Sequence, residues 1–544
     1  MNRPVTLARL PEQLQQAAAL HQLGVIAARS GDFAGAVNLI GRSIDADPSN
    51  PAAFNDRGIA LKGLGQYEAA LASIDRAIAL LPGYAAAHNN RANVLRELRR
   101  WDAALASYDR AIMIDPAYSE AHGNRAVLLN DLHQWEAAVA GFDRAIAAQP
   151  ANANAHCNRG VALEHLGELG RALEDYERAV ALDPRFVQAY SNRGNVLRQL
   201  GRIEAALASC DRAIALSPEH AAAHQNRALA LLLRGDWTEG WAEYEWRWKN
   251  PHSALAKDHG RFTQPLWSGQ EGLAGKTILL HAEQGLGDTL QFCRYAPRIA
   301  ERGAQVVMEV QGALLEVLAG LDGVAQFVAR GQPLPPFDCH CPLLSLPRAF
   351  GTTPHETPAQ TPYLRSDVHK TRAWAERLAS TSKRRVGLVW SGGFRPNQPE
   401  VWAVDRRRNI ELAMLAPLRH SGIEFFSLQK GESAEAELAQ LLAGGWDGPR
   451  LTDFTGLLSD FSDTAALIQQ LDLVISVDTS TAHLAGALGK PVWLLNRFDT
   501  CWRWLLERSD TPWYPSARLF RQEEPGAWSG VVRRVAADLA AFAG

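Results

Sequence analysis

The sequence predicts an α + α/β protein, with a helical repeat superhelix in its first half and a pair of parallel α/β domains in its second. Two observations carry the first part. Prolines recur at intervals of 34 residues, at Pro48, Pro82, Pro116, Pro150, Pro184 and Pro218, and three other columns keep the same period. The third observation is a change of texture near residue 275, where short apolar runs begin to alternate with helix-length stretches, the pattern of parallel sheets.

Framed from residue 17, the repeats run 17–50, 51–84, 85–118, 119–152, 153–186, 187–220 and a seventh from 221. The eighth place is always small: Gly24, Gly58, Ala92, Ala126, Gly160, Gly194, Ala228. So is the twentieth: Ala36, Ala70, Ala104, Ala138, Ala172, Ala206, Gly240. The seventeenth is bulky: Phe33, Tyr67, Trp101, Trp135, Leu169, Ile203, Trp237. Small residues let two antiparallel helices approach, and the bulky residue is expected to fill the gap between them. Proline lacks an N–H and ends the second helix. One such unit cannot bury its apolar face alone, so units stack. The pattern resembles the tetratricopeptide repeat.

Two polar columns ride on this frame. The sixth reads Asp56, Asn90, Asn124, Asn158, Asn192, Asn226. A carboxamide offers both donor and acceptor, so a ladder of them on the first helices suits the backbone of an extended peptide, or else local bonds between neighbouring repeats. The ladder resembles that of O-GlcNAc transferases, which implies a protein or peptide acceptor held by Asn90, Asn124, Asn158, Asn192 and Asn226. The seventh column is Arg57, Arg91, Arg125, Arg159, Arg193, Arg227, and the twenty-fifth is acidic: Asp75, Asp109, Asp143, Glu177, Asp211, Glu245. Opposite signs in register are expected to form structural inter-helix pairs. His88, His122, His156 and His224 fall on different helices, which favours packing over a metal site. The seventh repeat holds four of the 16 tryptophans, at 237, 241, 246 and 248. These are expected to dock the repeats onto the next domain as a fixed junction.

In the second half the first α/β unit reads Thr277-Ile-Leu-Leu-His281, then Gly285-Leu-Gly287-Asp288 and a helix of about fifteen residues. Gly285 and Gly287 permit a tight turn close to a ligand, while Asp288 is equally a good helix cap. Further strands are expected near 305–310, 324–328 and 337–340, with Cys339-His340-Cys341 read as packing. A second unit starts near 384. Its strand 385–390 runs into Ser391-Gly392-Gly393, a small-residue turn whose backbone N–H groups suit a phosphate. Strand 423–428 leads to Lys430 and Glu432. Strand 471–477 ends at Asp478, followed by Thr479, Ser480, Thr481 and His483 at a helix start. Free N–H groups, a positive helix end and hydroxyls together suit an anion.

Gly285-Leu-Gly-Asp288 and Asp478-Thr-Ser-Thr-Ala-His-Leu484 together resemble glycosyltransferase family 9, of the heptosyltransferase type. The resemblance implies a GT-B fold with two Rossmann-like domains, and sugar transfer from a nucleotide-diphosphate sugar without a metal or other cofactor. It matches Asp288 to the general base, Asp478 to a donor-sugar contact, and Thr479, Ser480, Thr481 and His483 to the diphosphate site. Ser391 and Lys430 fall at phosphate contacts and Glu432 near the nucleoside. Ser480 departs from the family's glycine, and the basic run Arg406–Arg408 within 392–408 reads as a donor-side loop or a solvated one. The expected layout is an N-terminal extension (1–16), repeats (17–254), a linker (255–274), an acceptor-side domain (275–370) and a nucleotide-sugar domain (371–544). An inactive repeat scaffold, or a transferase acting on lipid or polysaccharide, are the alternative readings.

Composition bounds these expectations. The chain has 544 residues, 47% hydrophobic and 21% charged, ordinary for globular domains. A formal charge of −3 argues against a dedicated nucleic-acid binder and against disorder. No apolar run approaches the roughly 18 residues of a membrane span. The first residues, MNRPVTLARLPEQLQQ, lack the apolar core of a secretory signal. Six cysteines in this length do not make a disulfide framework, so a cytoplasmic setting is expected.

Overall fold

The computed structural model describes residues 12–543 except 252, 259, 380–382, 394–397, 399 and 400. Most of the N-terminal extension and the centre of the 392–408 segment lie outside the described residues. The chain forms two compact units, Met1–Pro184 and Arg185–Gly544. The sixth and seventh repeats therefore belong with the α/β body.

The first unit is a series of helical hairpins. Its second helices start at the seventeenth column, as in Phe33–Ala46, Tyr67–Leu80, Trp101–Ile114 and Trp135–Ala148. Each first helix ends in a turn whose fifteenth-column residue has positive φ: Gly31, Gly65 and Gly167, but also Arg99 (φ 55°) and His133 (φ 60°). The proline column follows the C-caps, where Asp47 and Leu81 still donate their N–H groups to Ser43 and Ala77. Proline has no N–H with which to continue.

Packing corrects one expectation. The partner of the small eighth column is the twenty-fourth. A Cβ on Gly24 would lie 2.4 Å from Ile40, and one on Gly58 would lie 2.3 Å from Ile74. The bulky seventeenth column packs forward instead, onto the next repeat. Phe33 lies against Gly63, and Trp135 stacks on His165 at 4.0 Å. A residue at the first position of the second helix points out of its own hairpin, so it bridges units.

The polar columns are structural here. Arg91, Arg125 and Arg159 donate to Asp75, Asp109 and Asp143 of the preceding repeat at 2.6–2.7 Å. Histidine Nε2 atoms of His88, His122 and His156 lie 3.0–3.3 Å from the carbonyl oxygens of Pro82, Pro116 and Pro150. The histidine column thus completes the turn that the proline column creates.

The second unit opens with the helix pairs Val187–Gln199, Ile203–Leu216 and Ala221–Arg234, Trp237–Tyr244. Two parallel sheets follow. The first has the order β3-β2-β1-β4, built from β1 (Thr277–His281), β2 (Gln305–Val310), β3 (Val324–Ala329) and β4 (Cys339–Pro342). The second has the order β10-β9-β8-β5-β6-β7. Its strands are β5 (Arg384–Val389), β6 (Ile423–Ser427), β7 (Leu451–Asp453), β8 (Leu473–Val477), β9 (Val492–Asn496) and β10 (Ala517–Arg521). All pairings are parallel, and β8 is buried throughout, as a strand covered on both faces must be. The stretch read as one helix after the glycine turn is Leu286–Phe292, a 3-10 turn Cys293–Tyr295, and Ala296–Ala300 with Pro297 near its start.

The aromatic junction is buried. Trp237 stacks on Trp513 at 5.2 Å, and Trp241 sits edge-on to Trp502 at 5.0 Å and to Phe292 at 6.4 Å. Beside them the fully buried Arg247 donates to Glu283 at 3.0–3.2 Å and to Ser345 at 2.8 Å. Paired charges in such a place hold geometry, because either one alone would be uncompensated. Cys339 and Cys341 are buried, and His340 Nδ1 lies 3.2 Å from His281 Nε2. Among the described residues no His, Cys, Asp and Glu cluster is arranged to hold a metal ion.

Candidate active site

Strands β1, β5, β6, β8 and β9 end at one cavity of about 890 Å³. Gln284–Asp288 reach it from beyond β1, Ser391–Gly393 from β5, Leu428–Lys430 from β6, Asp478–Thr481 and His483 from β8, and Arg497 from β9. The crevice beyond the carboxyl ends of parallel strands is the general ligand position in open α/β sheets. Helices Leu286–Phe292 and Ser480–Ala487 start there, so their positive dipole ends lie at the space.

Two helix starts meet at Gly287. A Cβ there would lie 2.8 Å from His483 Cδ2 and 3.6 Å from the Cα of Ser480. Only a glycine lets helix Leu286–Phe292 approach helix Ser480–Ala487 this closely. Thr479 caps the latter: its Oγ1 accepts from the Ala482 N–H at 3.4 Å and shares a hydrogen with Ser476 at 3.0 Å. The cap thus occupies one of the three hydroxyls, and those of Ser480 and Thr481 remain on the cavity wall.

His483 is buried, with Nδ1 2.9 Å from the Tyr514 hydroxyl and its ring stacked on Trp504 at 5.4 Å. Burial lowers its pKa to about 3, so the imidazole is neutral near pH 7. Its Nε2 lies 3.9 Å from Asp478 Oδ1.

Asp288 uses both carboxylate oxygens. Oδ2 accepts from the Gly285 N–H at 2.9 Å, and Oδ1 pairs with Arg503 Nη2. Arg503 also donates from Nε to Gln291 Oε1 at 2.7 Å, and its guanidinium lies over the Trp502 ring at 4.1 Å. Burial opposes its charge, but the Asp288 carboxylate keeps the guanidinium above its ordinary pKa.

Three more cations border the space. Lys430 Nζ donates to the Thr455 carbonyl at 2.9 Å, Arg408 donates to the buried Asp405 at 2.7 Å, and Arg497 lies 3.5 Å from Asp499. Within the basic run, Arg408 faces the cavity, while Arg407 pairs with Asp499 at 3.0 Å and donates to Gln199 at 2.8 Å.

Gly285, Gly287, Asp288, Ser391, Lys430, Asp478, Thr479, Ser480, Thr481 and His483 are thus brought together. Two expectations fail. The Ser391-Gly392-Gly393 turn does not offer its N–H groups outward. Ser391 donates to Gln429 at 2.9 Å, Gly392 to Asn409 at 2.8 Å and Gly393 to the Ser391 hydroxyl at 3.2 Å. Glu432 is not on the cavity wall; it is the exposed first residue of helix Glu432–Ala443.

The repeat asparagines form a separate set, bonded locally. Asn90 Nδ2 donates to Asn55 at 2.9 Å, Asn124 to Asn89 at 3.1 Å, and Asn226 to the Ser191 carbonyl at 3.1 Å. Each reaches the fifth column of the preceding repeat. That leaves the peptide-clamp expectation with engaged N–H groups at Asn90, Asn124 and Asn226. Asn192 accepts from Gln188 at 2.7 Å. At Asn158 the preceding fifth-column residue is Gly123, which has no side chain.

Sequence reasoning missed Arg503, Asp460 and Gln429. The signal for Arg503 was a cation between Trp502 and Trp504, a setting suited to a stacked guanidinium.

Models of the tetratricopeptide repeat match residues 153–186, 187–220 and 55–121. The model of glycosyltransferase family 9 (heptosyltransferase) matches residues 413–496, which carry Lys430 and Asp478–His483. The chain joins tetratricopeptide repeats to a glycosyltransferase family 9 domain. Protein FlbA of Caulobacter vibrioides is 30% identical over 342 residues, covering 58% of this chain and 54% of FlbA. The chain therefore spans about half the length of that relative. Among solved structures, a tetratricopeptide repeat protein from Parabacteroides merdae aligns over 45% of this chain and 98% of its own, at 18% identity and a TM-score of 0.37. Pseudomonas aeruginosa pilF aligns over 40% and 99%, at 15% identity and a TM-score of 0.37. Among the described residues no helix is long and apolar enough to cross a membrane.

Proposed function

We propose that the chain transfers a sugar from a nucleotide-diphosphate sugar to a hydroxyl of a protein acceptor recruited by the repeats, in the cytoplasm. One juxtaposition supports this above others. Asp288, from the end of β1, and the hydroxyl-bearing helix start Ser480–Thr481, from the end of β8, line the same cavity. In this scheme Asp288 takes the proton from the acceptor hydroxyl. Its two oxygens still have lone pairs beyond those given to Arg503 and Gly285. The departing diphosphate is stabilised by the N–H groups and hydroxyls of Ser480 and Thr481, by the dipole of their helix, and by Lys430 and Arg408. Asp478 and neutral His483 contact the donor sugar and its phosphates. No cofactor enters the scheme. The two lobes close over the substrates.

Titration calorimetry with a panel of nucleoside diphosphates and their sugars tests the donor site, and mass spectrometry of candidate protein acceptors tests transfer. Asp288→Asn is expected to bind the donor normally and transfer nothing. Normal transfer by that variant would refute the assignment of the base.

A second reading, a repeat scaffold with an inactive α/β body, is favoured by the engagement of both Asp288 oxygens. It predicts that no nucleotide sugar in the panel binds.

A further inference from the structure

The Asp288–Arg503 pair joins the two sheets of the body. Asp288 stands in the first turn of the helix after β1, and Arg503 lies in the 3-10 turn Trp502–Trp504 after β9. Arg503 is buried and held from two sides. Nε donates to Gln291, one turn beyond Asp288 on the same helix, and the guanidinium lies over Trp502. Trp502 in turn is edge-on to Trp241 of the seventh repeat. A continuous line of contacts therefore runs from the last repeat through Trp502 and Arg503 to the carboxylate. Gln291 and Asp288 are three apart on one helix face, so a single guanidinium reads both and fixes the helix as well as the carboxylate.

We infer that Arg503 is a positioning residue, which sets the rotamer of Asp288 for proton abstraction and is itself braced by the seventh repeat. The inference rests on the transferase reading above. It gives the repeats a part in building the site, beyond recruiting an acceptor. The groups facing the pair are Tyr244 from the last repeat, Cys501 on the same turn, and Asp478 and His483 beyond β8. Arg503 Nη1 also reaches the Cys501 sulfur at 3.0 Å.

The test uses the full chain and whichever donor of a panel of UDP-, GDP-, ADP- and dTDP-sugars the unaltered protein turns over. Arg503→Gln is expected to lower kcat about 100-fold, the loss that a misplaced group brings, with KM for the donor unchanged. Arg503→Lys can still pair with one carboxylate oxygen, so part of kcat returns, again with KM for the donor unchanged. Should the glutamine variant not fold, the lysine variant decides alone: a raised KM for the donor with undiminished kcat overturns the inference. A raised KM with unchanged kcat in Arg503→Gln would make Arg503 a donor ligand and overturn positioning while leaving the transferase reading intact. No turnover of any donor by the unaltered chain would overturn both.

Discussion

Gly287 and His483 mark the crossing of two helix starts from different sheets, with room for a hydrogen at 287 and nothing larger. The histidine cannot yield, because Tyr514 holds one edge and Trp504 covers a face. Gly287→Ala is expected to destabilise the protein by about 1–3 kcal/mol, the usual result of overpacking, and to abolish donor binding. Thermal unfolding and calorimetry check the two effects separately.

Two buried histidines set a pH dependence. Burial lowers the pKa of both His281 and His483 to about 3, whereas an unfolded histidine titrates near about 6.5. The unfolded chain therefore binds more protons in that interval, and stability falls as pH drops from about 6.5 toward 3. Each histidine contributes a slope of up to about 1.4 kcal/mol per pH unit. Urea midpoints at pH 7 and pH 5.5 should differ in this direction, and His281→Gln should reduce the difference.

The repeat turns hold a stabilising substitution. Arg99 occupies with φ 55° a position that is glycine in most repeats, and its side chain is exposed. A side chain in this region costs about 1–2 kcal/mol. Arg99→Gly removes that cost but frees the unfolded chain, so the net gain is expected to be about 1 kcal/mol, read as a higher unfolding midpoint.

The asparagine column should divide into two classes. Asn124→Ala deprives Asn89 of its donor and is expected to cost about 1 kcal/mol. Asn158→Ala has only Gly123 at the fifth column of the preceding repeat and is expected to change stability by less than about 0.5 kcal/mol. If Asn158 holds a peptide, as the clamp reading requires, only its variant loses peptide binding while keeping full stability. Unfolding curves alongside peptide-array binding check both.

The repeats were legible because proline, glycine and alanine act on the backbone at a fixed period. Their presence at Pro48, Gly24 and Ala36 is information independent of any distant partner. The strand ends at Asp288 and Asp478 were legible for a similar reason, since polar residues after a buried run mark a carboxyl end. What escaped depended on contacts remote in sequence. Gln429 closes the Ser391 turn from 38 residues away, and Arg503 finds Asp288 across 215. Neither has a local signature. The seventeenth column packs on the next repeat; spacing reveals that a residue packs but not which hairpin it packs against.

The buried tryptophans of the seventh repeat make the repeat region unequal at its two ends. Removing Trp241 would uncover Phe292 and Trp502 in the body's own core, whereas a 34-residue unit deleted or duplicated upstream would leave that core untouched. Variation in repeat number is therefore expected upstream of the seventh repeat, so related chains with longer or shorter repeat arrays should share their final repeat.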